Sequence, residues 1–190
     1  MRKKMKPAIG IIAFGLFLVA SPFLISHAQK KSELQKEENK NQDEQELQAR
    51  AETAKSVVGS IFLDALPVKE PSWVLNKAGF VERGENNKFT YLSMLLKKGD
   101  SFTGIDILEC DSPKDADERF GGQRSYGASV PFNKYGDKGD KLIGQNGDLM
   151  AIRFRKGNFF VVIYTRSDSK TAEHFAEYAL EAIKSYVPNK

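Results

Sequence analysis

Six consecutive apolar residues, Phe159, Phe160, Val161, Val162, Ile163 and Tyr164, constrain this chain more than any other stretch. A strand with one wet face alternates apolar and polar residues, whereas this one does not. It therefore reads as a central strand covered on both sides. The C-terminal helix is the natural cover for one face. The other would fall to a helix over Ala54–Leu66 or to the irregular stretch Gly121–Gly147. Thr103-Gly104-Ile105-Asp106-Ile107 does alternate, so that strand shows one face to solvent, and the sheet edge is expected on its side.

The surrounding pattern predicts an α+β fold, an antiparallel sheet with packed helices. Ala54–Leu66 carries apolar residues at helical spacing and stops at Pro67. Trp73–Val81 is a loop leading into a strand, and Gly84-Glu85-Asn86-Asn87 a turn. Strands over Lys88–Lys97 and Phe102–Cys110 meet at the tight turn Lys98-Gly99-Asp100. Ser112-Pro113 cap a short helix over Lys114–Phe120, closed by Gly121-Gly122 in a left-handed cap. The second half repeats the plan. Leu149–Arg155, the turn Lys156-Gly157-Asn158 and Phe159–Thr165 form a hairpin, and Asp168 caps a helix to Val187. Lys97-Lys98-Gly99-Asp100 aligns with Arg155-Lys156-Gly157-Asn158, and Lys114 and Ala116 with Lys170 and Ala172. Two duplicated hairpin–helix units are one reading, and chance likeness of two ordinary hairpins is the other.

Ahead of this domain (54–190) lie two appendages. Residues 1–28 have the grammar of a secretory signal: basic Arg2–Lys6, an uncharged apolar run, the helix breaker Pro22, and small residues in Ser26-His27-Ala28 ahead of a cut. The apolar run Pro7–Ile25 is also long enough to span a bilayer if uncut, so cleaved signal and membrane anchor both stand. Either way the chain is exported, secreted or held in the cell envelope, and any membrane contact runs through residues 7–25. Gln29–Thr53 is a charged linker, partly helical or disordered, without the apolar seam of a coiled coil.

The formal charge of +4 comes from Arg2, Lys3, Lys4 and Lys6, since the targeting segment holds no acid. What remains is balanced, which argues against nucleic acid as a partner. The single cysteine, Cys110, forms no internal disulfide. His27 belongs to the targeting segment, leaving His174 alone in the domain on a solvated helix position. With one histidine and one distant cysteine, no nucleophilic system or zinc set assembles, so neither cofactor nor metal is expected. Among the carboxylates, Asp106 and Glu109 lie on opposite faces by strand parity and cannot converge as a pair. Asp137-Lys138-Gly139-Asp140 fails the calcium-loop pattern at its third, fifth and twelfth positions.

Softer candidates remain. Arg124, Tyr126, Phe132 and Tyr135 sit on a long, glycine-bearing loop and line a groove for a partner or small ligand, or else plug the open sheet face. Arg153 and Arg155 share one strand face and pair with an anionic ligand, or else snorkel over apolar neighbours.

The hairpin Met150–Ile163 and the closing helix Ala172–Ile183 resemble small exported bacterial domains of unknown function. The layout is also similar to α/β/α sandwiches of the PsbP/Mog1 type. That resemblance implies a non-catalytic binding or accessory role and supplies no site residues. The expectation is a non-enzymatic exported interaction module. A small-ligand carrier is the alternative, and a carboxylate-based hydrolase stands third.

Overall fold

The computed structural model describes residues 22–85, 88–122, 127–165 and 168–186. Residues 1–21 of the targeting segment, Asn86 and Asn87 of the expected turn, Arg124, Tyr126 and Val187 lie outside them. The chain divides into two compact units, Met1–Lys40 and Asn41–Lys190.

Helix α1 runs Pro22–Ala54 without interruption. Leu34 and Leu47 are 53% and 71% exposed, so no seam forms. Glu46 and Arg50 make the expected i,i+4 pair at 3.1 Å. Two residues assigned to the linker belong to the core of the second unit: Ala49 and Thr53 are buried, and the Thr53 hydroxyl donates to the Ala49 carbonyl at 2.8 Å.

Ser56 then starts helix α2 (Val57–Lys69) by accepting the Gly59 amide at 3.3 Å. Pro67 was expected to end this helix but lies within its last turn. There it removes one backbone bond, while Glu70 still closes onto the Leu66 carbonyl.

The sheet comprises β1 (Val74–Val81), β2 (Phe89–Lys98), β3 (Ser101–Cys110), β4 (Ala128–Pro131), β5 (Lys138–Ile143), β6 (Leu149–Lys156) and β7 (Phe159–Thr165). It is antiparallel throughout in the order β1-β2-β3-β7-β6-β5-β4. Helix α3 (Pro113–Gly122) crosses between its halves, and α4 (Ser169–Tyr186) closes the chain. The two hairpin turns reach φ of +56° at Gly99 and +58° at Gly157, values that favour glycine.

β7 is the middle strand, as its unbroken apolar run required. Its odd residues Phe159, Val161 and Ile163 meet α2 and α4 through a core containing Phe62, Phe175, Ala179 and Ile183. Tyr178 bridges the two helices, its ring 4.2 Å from that of Phe62 and its hydroxyl donating to the Phe62 carbonyl.

Four expectations are corrected. The second face of β7 is covered by α3, through Phe120 on Phe160 and Val162, because α2 packs beside α4 on the first face. β3 is interior, and the edges are β1 and β4. Gly121–Gly147 is not irregular, since it holds β4 and β5, whose short polar sequences lack an apolar signature. Gly121 and Gly122 themselves are helical, with no positive φ at either.

The alignment of the two halves puts Ile105 on Ile163, and these face each other across the β3–β7 ladder. The hairpins are thus related by an approximate twofold axis through that pair. The helices break it, since α3 and α4 lie on opposite faces of the sheet.

Candidate functional site

A helix of 10 residues cannot roof a sheet of this width. α3 rests over β6, β7 and the end of β3, and the β2–β3 half of that face stays open. The strand parity that sends Leu92, Met94 and Ile105 into the main core sends Tyr91, Ser93, Gly104, Asp106 and Tyr164 to this open face. Of these, Tyr91, Asp106 and Tyr164 border, together with α3, a groove of about 840 Å³, closed at one end by Arg119 over Phe89 at 4.4 Å.

Asp106 stands mid-groove, half-buried. The Ser93 hydroxyl, directly across the hairpin, donates to its Oδ1 at 2.7 Å. Tyr91 and Tyr164 flank the same carboxylate from opposite diagonals of the ladder. Burial pushes its pKa above the usual aspartate value, and the nearby Ser93, Tyr91 and Tyr164 hydroxyls pull it only part of the way back. No lysine, arginine or histidine among the described residues forms an ion pair with it. A half-buried carboxylate of raised pKa in a concave aromatic groove is the arrangement that marks binding sites.

Cys110 borders the groove but is buried, and that burial pushes its thiol pKa up against the influence of Arg119. A protonated, enclosed thiol is inert. No group of three metal-ligating side chains occurs among the described residues.

The residues singled out from the sequence fall elsewhere, and the sheet separates them into two sets. Phe132 and Tyr135 belong to the α4 face, with ring centroids 5.6 Å apart and Tyr135 in turn 6.0 Å from Phe154. Tyr135 is buried, a plug rather than a groove wall. Around it Lys141 sits 3.8 Å over the Phe132 ring and pairs with Glu173 at 2.7 Å.

Arg153 and Arg155 share the α3 face, as their parity required. The anions they meet are the chain's own. Arg153 is buried in a bidentate pair with Asp140, Nε to Oδ1 at 2.8 Å, and Ser129 also donates to that carboxylate. Arg155 lies 3.5 Å from Asp137 and 3.6 Å from Asp117. His174, exposed as expected, pairs with Glu70 at 2.7 Å.

A second depression, of about 1390 Å³, opens at the end of β7 near Asp168 and Lys141. Its polar groups are committed: Asp168 caps α4 through the Thr171 amide at 2.8 Å, and Lys141 is held by Glu173.

Fold and site together define a three-layer α+β module with one half-open sheet face. No family model, curated protein or solved structure matches the chain.

Proposed function

We propose that this chain is an exported, non-catalytic binding module of the cell envelope or extracellular space, and that the Asp106 groove is its binding surface. The observation that carries this reading is a single half-buried carboxylate, ringed by neutral hydroxyls, on the part of the sheet that no helix covers. Export rests on the sequence grammar of residues 1–28. The helix-on-both-faces layering agrees with the accessory role that the likeness to PsbP/Mog1-type sandwiches implies. A small-ligand role is favoured over a broad protein interface by the concavity of the groove.

Hydrolysis by paired acids finds no support at Asp106 and Glu109, which the sheet separates. Glu109 is on the other face, where it accepts a hydrogen bond from the Tyr186 hydroxyl.

The test is twofold. Cell fractionation should place the chain outside the cytoplasm, and recovery of the uncut chain in the cytosol would refute export. A broad hydrolase panel should show no turnover that depends on Asp106, and activity abolished by Asp106→Asn would make this an enzyme.

A further inference from the structure

Among the described residues no cation pairs with Asp106. Its partners, Ser93, Tyr91 and Tyr164, are all neutral hydroxyls. Among the described residues, the charged groups on the same face stand away from Asp106 along the strands. Lys88, Arg119, Asp115 and Glu118 lie towards Phe89, and Lys97 lies over Phe102 at 5.7 Å. Phe89 and Lys97 are each four residues along β2 from Ser93, about 13 Å away at strand rise. On the neighbouring strand β6, Arg153 is held by Asp140.

At Gly104 a methyl group would meet only the Tyr164 ring, at 3.5 Å, and Ser93 stands directly opposite Asp106. A carboxylate has about four lone-pair positions, and the Ser93 hydroxyl takes one of them. Tyr91 and Tyr164 line the groove beside those that remain, an arrangement that matches a compact cation with the carboxylate as counter-ion and the rings as walls.

Resting on the groove reading above, we propose that the ligand is a small organic ammonium compound, whose charged nitrogen sits against Asp106 between Tyr91 and Tyr164. A neutral ligand would leave the carboxylate charge as it is, and an anion would be repelled. A divalent metal would lack ligands, since no group of three candidate side chains lies here among the described residues. Cation and proton compete for the same oxygen, so binding weakens as pH falls through the Asp106 titration. The elevated pKa brings that competition closer to neutral pH.

The experiment is a ¹⁵N–¹H NMR titration of the full chain with three probes of matched length: butylammonium, butanol and butyrate. The expected result is saturable shifts at the amides of Tyr91, Ser93, Asp106 and Tyr164 with butylammonium alone. Asp106→Asn should weaken it about tenfold or more, the scale of one charge-assisted bond. A pH series on the wild-type chain should show the same loss on acidification, which keeps the test decisive if the variant fails to fold. Binding of butanol or butyrate as tight as that of butylammonium overturns the ammonium assignment and leaves the groove as a site. So does ammonium binding indifferent to pH and to Asp106. Silence of all three probes at these amides overturns the assignment and the groove reading together.

Discussion

Replacing Gly59 by alanine sets two rules of opposite sign against each other. Gly59 lies in the first turn of α2, where alanine normally gains about 1 kcal/mol over glycine in helix propensity. Here an added Cβ would come within 2.4 Å of the Thr53 carbonyl oxygen and 2.7 Å of Leu92 Cδ2. The leucine methyl could swing aside at some cost in a packed core, but the carbonyl cannot. It is backbone, and it already accepts the Ser56 amide at 3.2 Å. The end of α1 and the start of α2 would have to separate, and overpacking of this kind costs about 1–3 kcal/mol, more when backbone must move. Because backbone must move, the contact outweighs the propensity, leaving a net loss of up to about 2 kcal/mol, or a fall of up to roughly 8 °C in Tm for a unit of this size. Gly121 in α3 supplies the control. A Cβ there meets nothing within 4 Å, so Gly121→Ala gains up to about 1 kcal/mol. Urea unfolding of both variants, with m-values to confirm an unchanged transition, measures the pair. If Gly59→Ala proved as stable as the wild type, the close approach of these two helices would be refuted.

Asp140→Ala strips the buried Arg153 guanidinium of its carboxylate and should cost about 3–5 kcal/mol in urea unfolding, while the double replacement Asp140→Leu with Arg153→Met should recover most of that loss. Glu173 has a pKa held below the usual range, chiefly by the Lys141 hydrogen bond. Its stabilisation is present above the unfolded value and is lost as pH falls through the folded one. Lys141→Met should therefore raise that pKa in a ¹³C-carboxyl NMR titration and weaken the acid limb of stability by at most about 1 kcal/mol, given the solvent exposure of the pair. Asp106 carries the opposite sign. Its raised pKa makes a cost that is absent below about pH 3.9 and grows as pH rises through the folded value, so Asp106→Asn should gain stability relative to wild type between pH 4 and pH 7. A flat difference across that range would refute the assignment.

Much of the frame was legible because it is written in local patterns. The unbroken run Phe159–Tyr164 placed β7 at the centre, and the two glycine turns fixed both hairpins. Ser112 and Asp168 marked the starts of α3 and α4. β4 and β5 were not legible, since Ala128–Pro131 and Lys138–Ile143 carry a proline, a glycine and charges and are strands only because β6 offers β5 an edge and β5 in turn offers one to β4. Half of the candidate site was within reach. With Gly99-Asp100 as a two-residue turn, counting back along the ladder puts Ser93 opposite Asp106 and Tyr91 one diagonal away. A search for paired acids passes over Asp106, whose informative neighbours are hydroxyls. Tyr164 was out of reach, because the β3–β7 register joins strands far apart in sequence with no turn to set it. Arg153 and Arg155 looked available to a ligand because no sequence pattern reveals that Asp140, Asp137 and Asp117 fold against them.

The approximate twofold relation of the hairpins explains why the groove lies where it does. With β3 and β7 paired about Ile105 and Ile163, the sheet is nearly symmetric, and a symmetric pair of helices would have left its two halves equally covered. The connections differ instead. From β3 the chain turns to the second face and spends 10 residues there as α3, while from β7 it returns to the first face as an 18-residue helix that packs with α2. Apolar side chains follow the cover: Phe160 and Val162 lie under Phe120, whereas the uncovered positions hold Ser93, Gly104, Asp106 and tyrosines whose hydroxyls find polar partners. A carboxylate is tolerable at the sheet centre because α3 stops short of it, and lengthening α3 across β2 would force Asp106 to lose either its charge or its place in the fold.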